Sequence, residues 1–403
     1  MEIEADTRGG TVAVTPSLRE QRPTTLRLRR RPPAWTAAVA LYVGSRLAVL
    51  GAFVAATWIA PQLRFSTVFG ASWDGGWYVR IAQSGYPDNL AAQGGGNPWA
   101  FFPGLPTAIR AVHEVTTLSY SDSAVVVALI TGLTGTLAVW LAVRNRFGDE
   151  IANRSVALLV FFPIAFVLSM AYTEGLFLTF AGLCLYALDR KSWYPAAVFA
   201  AAASLTRSVG VVLILCVAVS ALIAVTRDRQ LKPLVATVVA GLPLLGWLIY
   251  ADRRTGVFLA FARAERDWGG GHFVWFTAPF HSLAHLMTSA HAWRVAPDVL
   301  ASFALVFVTV GLALLVVRGR LRPRLPASWW VFTIGSVAVA LSPFWPNSIL
   351  RFCFVVFPLF VGIAARCSRY FSATVGTFAA AQGALAIIAF VSIIHWQTAP
   401  FAP

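Results

Sequence analysis

The chain has 403 residues, of which 58% are hydrophobic and 12% charged, with a mean hydropathy of +0.70 and a formal net charge of +15. These values exclude an ordinary soluble domain and predict a polytopic membrane protein. The positive balance reads as a topology signal plus attraction to anionic headgroups of the lipid bilayer, so no nucleic acid partner is expected.

Residues 1–33 are polar and Arg-rich and predict a disordered basic cytoplasmic tail without a signal-peptide cleavage pattern. Residues 34–403 read as a single integral domain. A hydrocarbon core of about 30 Å asks for roughly 20 apolar residues per helix. Breaks at charges and prolines place helices near 34–60, 123–143, 155–171, 175–189, 195–206, 209–226, 233–250, 298–317, 328–345, 349–365 and 371–394. Pieces as short as 195–206 predict re-entrant or discontinuous elements among these eleven spans. The alternating pattern of an outer-membrane barrel is absent.

Basic residues set the orientation. They cluster in the tail (Arg8 to Arg31), at Arg144, Arg146 and Arg154, at Arg190 and Lys191, and at Arg227, Arg229 and Lys232. Further clusters are Arg318 to Arg324, and Arg366 with Arg369. A cytoplasmic N-terminus puts all of these on one side. The two long loops, 61–122 and 251–297, then face away from the cytoplasm. Arginine dominates so heavily over lysine that a bacterial plasma membrane is the expected location. Cys184, Cys216, Cys353 and Cys367 fall in or at the ends of helices, so no disulfide framework is implied.

Most acids on the outer side have plain structural readings. Asp122 and Asp298 precede apolar helices as capping or first-turn residues. Asp252, Glu265 and Asp267 sit among Arg253, Arg254, Arg263 and Arg266 as a solvated charge mosaic. Asp74 and Glu174 stand apart. Asp74 lies in "SWDGGWYVRIAQSGYP", where Trp73, Trp77, Ile81 and Tyr86 recur at near-helical spacing and predict an amphipathic helix in the membrane interface. Its carboxylate reads either as a helix cap or as a functional group at the lipid–water boundary. "NPWAFFPGLP" (97–106) reads as a second aromatic segment pressed onto the membrane face.

The stretch "WDGGWYVRIAQSGYP", then "AFFPGLP", "SMAYTEGLF" and "SLTRSVG", resembles the PIG-V family, polytopic glycosyltransferases of the GPI mannosyltransferase 2 type. The later "NSILRF" and "FPLF" resemble its final helices loosely. Val209 departs from the Asn usual there, and the second long loop matches nothing. The resemblance implies an all-α polytopic GT-C architecture and a polyprenyl-phosphate mannose donor. It also implies inversion at the anomeric carbon, a catalytic Asp at Asp74 and room for a small accessory membrane subunit. Trp73 and Tyr78 flank that Asp as candidate substrate-binding residues.

One carboxylate suffices for such chemistry. A lipid phosphate leaves without a general acid, so a single base facing the hydroxyl of a glycolipid or glycan acceptor is enough. Negative charge developing on the phosphate calls for cations. Arg207 interrupts an apolar stretch and reads as a phosphate ligand or as a snorkelling side chain. Arg351, with Asn347 nearby, is a second candidate. Glu174, in a turn between short helices, reads as a sugar ligand, as a partner of Arg207 or as a polar turn residue. Arg46, inside the first helix, needs an internal acid or backbone carbonyls.

Asp-x-Asp pairs that clamp a divalent metal are missing, and His281, His285 and His291 lack a carboxylate partner, so no metal or other cofactor is expected. "QGGGNP" and "WGGGHF" lack the context of phosphate loops and read as mobile loop segments. A transporter or lipid flippase is the alternative. It would want coupling residues at mid-membrane, whereas the informative residues here cluster at the outer helix ends.

Overall fold

The computed structural model describes residues 33–91, 96–268, 324–342, 349–366 and 369–394, with scattered positions between 277 and 314. Among them regular structure is helical throughout, as a polytopic membrane architecture requires. The elements are α1 (Thr36–Ile59), α2 (Asp74–Ser84), α3 (Gly104–Thr116), α4 (Tyr120–Val160), α5 (Glu174–Asp189), α6 (Trp193–Ser204), α7 (Val211–Asp228) and α8 (Lys232–Thr255). After these come α9 (Ala260–Ala264), α10 (Ala327–Ala340), α11 (Ile349–Phe354), α12 (Pro358–Arg366) and α13 (Phe371–Ser392). Five helices, α1, α4, α7, α8 and α13, are long and apolar enough to cross a membrane by themselves. The remaining described helices are shorter, in line with the short and discontinuous elements expected among the segments. Nearly all of the tail, and parts of the second loop and of the expected helix 298–317, lie outside the described residues.

Two prolines redraw the expected boundaries. The segments 123–143 and 155–171 begin in the two arms of α4, two helices that meet at Gly148, whose φ of 83° leaves the helical region. That helix ends at Val160, before Phe161-Phe162-Pro163, and a short 3-10 turn (Ala165–Ser169) stands where 155–171 was expected to continue. Pro163 lacks an N–H and disfavours helical geometry at the residue before it. Pro358 does the same to the expected 349–365, splitting it into α11 and α12.

The end of α4 leaves carbonyls inside the helical body, where water is not at hand to satisfy them. Side chains from distant helices do so. Gln382 of α13 donates Nε2 to the carbonyls of Val160 (2.9 Å) and Phe162 (3.0 Å), and Ser45 of α1 donates to Val160 as well. Arg46 resolves in the same place, donating to the hydroxyls of Ser169 (2.8 Å) and Ser45 (2.9 Å). Of its two expected partners, an acid or backbone carbonyls, it finds the carbonyl of Val160 (3.5 Å) in addition to these hydroxyls, and no acid among the described residues.

α4 and α5 pack through small residues. A Cβ on Gly175 would lie 2.7 Å from the backbone nitrogen of Gly132, so the two backbones touch directly. At the far end the arginine-bearing loops gather. Arg146 donates to the carbonyl of Arg324 (2.7 Å) and pairs with Asp189 (3.5 Å), and Lys191 pairs with Asp228 (3.0 Å).

The loop 61–122 folds back on the helices. α2 forms as its periodicity predicts, but its apolar face and the 97–106 segment are buried in protein instead of being laid on lipid. Tyr78, Tyr86, Trp99, Phe101 and Phe102 form one cluster with Trp247 of α8 and Ala260 and Ala264 of α9. Trp99 is fully buried. At the start of α4, Ser119 is the N-cap, accepting from the Asp122 N–H (3.1 Å) and donating to the Asp122 carboxylate (2.5 Å). Asp122 is thus the reciprocal first-turn member of a capping pair.

Candidate active site

Asp74 is the first residue of α2, and the residue before it is strained. Trp73 has φ 50° and ψ −123°, a conformation rare outside glycine. The strain is held by contacts on both sides of the turn. Gly75 donates to Ser72 O (2.9 Å), and a Cβ on Gly75 would lie 3.2 Å from the Ala171 side chain. The Ala171 N–H in turn donates to Phe69 O (2.7 Å). The turn carrying Asp74 is therefore locked to the segment that leads into Glu174, the first residue of α5.

A second clamp sets Arg207. Gly104 N–H donates to Leu205 O (2.7 Å), and a Cβ on Gly104 would stand 2.8 Å from that same oxygen. The Phe-Phe-Pro-Gly segment thus seats on the turn between α6 and α7 that carries Arg207. The four sequence motifs are joined in two pairs, the first with the third and the second with the fourth.

Their charged side chains form one chain of ion pairs. Arg351 Nη1 donates to Asp74 Oδ2 at 2.6 Å, Arg351 Nε lies 3.2 Å from Glu174 Oε1, and Arg207 Nη1 donates to the same Oε1 at 2.8 Å. Side-chain exposure is 28% at Asp74, 12% at Arg351, 1% at Glu174 and 9% at Arg207, so only the Asp74 end of the array opens to solvent. Arg207 is thus buried against Glu174 and does not snorkel. Two guanidiniums face two carboxylates, so the cluster is neutral, which makes burial of four charges tolerable. Aromatic faces complete the housing. Arg351 lies over Tyr172 (4.8 Å to the ring centroid), and Arg207 sits between Phe352 (5.1 Å) and Phe177 (5.9 Å). Glu174 Oε2 is buried and has no hydrogen-bond partner in the structure.

Tyr78 is buried edge-on against Phe101 at 5.0 Å, and burial together with the Asp74 carboxylate pushes its phenol well up. Trp73 packs its half-buried ring on the main core. Asn347, His285 and His291 lie outside the described residues. Among the described residues no three His, Cys, Asp or Glu side chains converge as metal ligands.

Three neighbours escaped the sequence reading. Tyr172 sits inside the "AYTEG" motif and could have been read with it, whereas Phe352 is recognisable only once α11 meets the α6–α7 turn. Glu265, read as part of a charge mosaic, has Asp74, Arg351 and Arg207 as its charged neighbours. One member of the mosaic pairs elsewhere, Arg254 binding Asp88 and donating to Tyr86 O (3.0 Å) in the first loop.

No curated protein matches the chain. Residues 103–250, from the start of α3 to near the end of α8, match the family model described as dolichyl-phosphate-mannose-protein mannosyltransferase. The matched segment contains Glu174 and Arg207 and stops short of Asp74 and Arg351. The match supports a membrane glycosyltransferase of GT-C type that draws mannose from a polyprenyl-phosphate carrier.

Proposed function

We propose that this protein transfers mannose from polyprenyl-phosphate mannose to a hydroxyl of a glycolipid or glycan on the extracytoplasmic face, with inversion and with Asp74 as general base. The observation that carries the reading is the continuous array Asp74–Arg351–Glu174–Arg207, which sets a partly exposed carboxylate beside two buried guanidiniums. The gathering of Arg146, Lys191 and Arg324 at the other end supports the assignment of faces through the positive-inside rule. The motif order keeps the narrower PIG-V resemblance as the preferred relationship.

The geometry suits a single displacement. The acceptor hydroxyl gives its proton to Asp74 as its oxygen bonds to the anomeric carbon. The bond from that carbon to the phosphate oxygen breaks, and its electron pair leaves with the polyprenyl phosphate. A β-linked donor so becomes an α-linked product. The leaving phosphate gains charge, and both guanidiniums have N–H groups to spare: the ion pairs use Nη1 of Arg207 and Nη1 and Nε of Arg351, out of five donors each. Glu174 holds the two cations side by side, a preorganisation that costs nothing at the moment of reaction.

The test is transfer of labelled mannose from polyprenyl-phosphate mannose in membranes holding the wild type or Asp74→Asn at equal folded abundance. The asparagine variant is expected to lose about 10²- to 10⁴-fold. Equal transfer by both would remove Asp74 from the chemistry, and no transfer by the wild type would overturn the donor assignment.

A further inference from the structure

Tyr172 lies against the charged array and takes no part in its ion pairs. Its ring carries the Arg351 guanidinium at 4.8 Å. The residue before it, Ala171, is fixed to the Asp74 turn, donating to Phe69 O (2.7 Å) and packing closely on Gly75. Two residues after it, Glu174 opens α5. Tyr172 thus stands where the segments bearing Asp74, Arg351 and Glu174 meet. It is 2% exposed and Glu174 is 1% exposed. The backbone N–H of Asp74 approaches the phenol oxygen, but among the described residues no group accepts the phenol proton, and none donates to Glu174 Oε2. Folded interiors rarely leave such atoms unpaired, because each one costs stability. A hydroxyl and a carboxylate oxygen left without partners beside one guanidinium point to a ligand.

We infer that the Tyr172 hydroxyl and Glu174 Oε2 together bind one hydroxyl of the donor's sugar and so make the donor site selective for a glycosylated lipid phosphate over the bare one. This rests on the transferase reading above. The pairing of atom types discriminates among ligand groups. A sugar hydroxyl both donates and accepts, so it can give its proton to Oε2 and receive the phenol proton. A phosphate oxygen only accepts, and Oε2 would repel it. The phosphate therefore falls to the spare N–H groups of Arg351 and Arg207, and the sugar to Tyr172 and Glu174. The sugar comes in at the Asp74 end, where the array opens to solvent. Arg351, in turning from Asp74 to the phosphate, opens the way to the phenol.

Tyr172→Phe removes the phenol oxygen and keeps the ring against Arg351. Purified protein in nanodiscs is titrated with polyprenyl-phosphate mannose and with polyprenyl phosphate, followed by tryptophan fluorescence. The variant should bind the mannosylated lipid about 5- to 10-fold more weakly than the wild type, the effect of one lost hydrogen bond, and polyprenyl phosphate equally well. In SDS unfolding it should be at least as stable as the wild type, because the oxygen it loses has no acceptor in the free protein. Among donors each lacking one mannose hydroxyl, one should bind the wild type as weakly as the full donor binds the variant, and Tyr172→Phe should weaken that one no further. Unchanged donor affinity in the variant, an equal loss for both lipids, a less stable variant, additive losses with every deoxy donor, or no binding of the mannosylated lipid by the wild type would each overturn the inference. Tyr172-dependent binding of the mannosylated lipid without transfer to any acceptor would instead overturn the transferase reading and leave the sugar subsite standing.

Discussion

Replacing Glu174 by Gln tests the site's electrostatic logic through an asymmetry. The change takes from Arg207 the carboxylate that holds it at 2.8 Å, whereas Arg351 keeps Asp74 at 2.6 Å. Arg207, 9% exposed, is left with the rings of Phe177 and Phe352, and an uncompensated buried charge costs about 3–5 kcal/mol. Arg207→Met is milder: Glu174 retains Arg351 at 3.2 Å, and a Met suits the aromatic walls, so the loss should be about 1–3 kcal/mol. The double variant removes the orphaned charge altogether. It should be more stable than Glu174→Gln alone, giving a coupling energy of about 2 kcal/mol. Reversible unfolding by SDS in mixed micelles, followed by tryptophan fluorescence, measures all four corners of the cycle. A cost for Arg207→Met exceeding that of Glu174→Gln, or a coupling below about 0.5 kcal/mol, would refute the reasoning.

Gly104→Ala should cost about 1–3 kcal/mol and at least about tenfold in transfer, because its methyl would displace Leu205 O and move the Arg207 turn; the same unfolding and transfer assays read both. Gln382→Leu strips donors from the carbonyls of Val160 and Phe162 and should lower stability by about 1–3 kcal/mol while leaving the donor and acceptor KM unchanged. Glu265 holds its proton up to about 7 in the folded protein against 4.5 for the free side chain, so the folded state binds the proton more tightly between those values. Its contribution to stability therefore falls as pH rises through that window, and Glu265→Gln should flatten the fall. Melting of the two proteins at pH 5 and pH 8 shows this as a relative gain for the variant at the higher pH.

How much of this was legible in the sequence depends on the distance over which each signal acts. Glu174 and Arg207 mark the ends of neighbouring helices; their pairing is one of the alternatives the sequence leaves open, whereas their placement at one depth follows from hydropathy. The partner of Asp74 does not, because Arg351 lies 277 positions away and only the packed fold brings it there. The aromatic segments misled for a chemical reason: Trp, Tyr and Phe suit a headgroup belt and a protein core equally. In this chain Trp99 and Phe102 take the core. Helix ends went astray where Pro163 and Pro358 outweighed continuous hydropathy, a local steric effect acting against a strong regional signal. Glu265 was hidden by its own neighbours, since arginines on either side in sequence suggested pairings that the turn after α9 does not make.

The closure of α4 by Gln382 bears on biogenesis. α4 is complete by residue 160, but its end is satisfied in part by a helix that leaves the ribosome more than two hundred residues later. Throughout that interval a nascent chain holds an unfinished polar end beside lipid, shielded only by α1. A chain truncated before α13 would stay in that condition, presenting quality-control machinery with a persistent mark of incompleteness. α13 therefore acts as a latch on the end of α4, joining two elements more than two hundred residues apart.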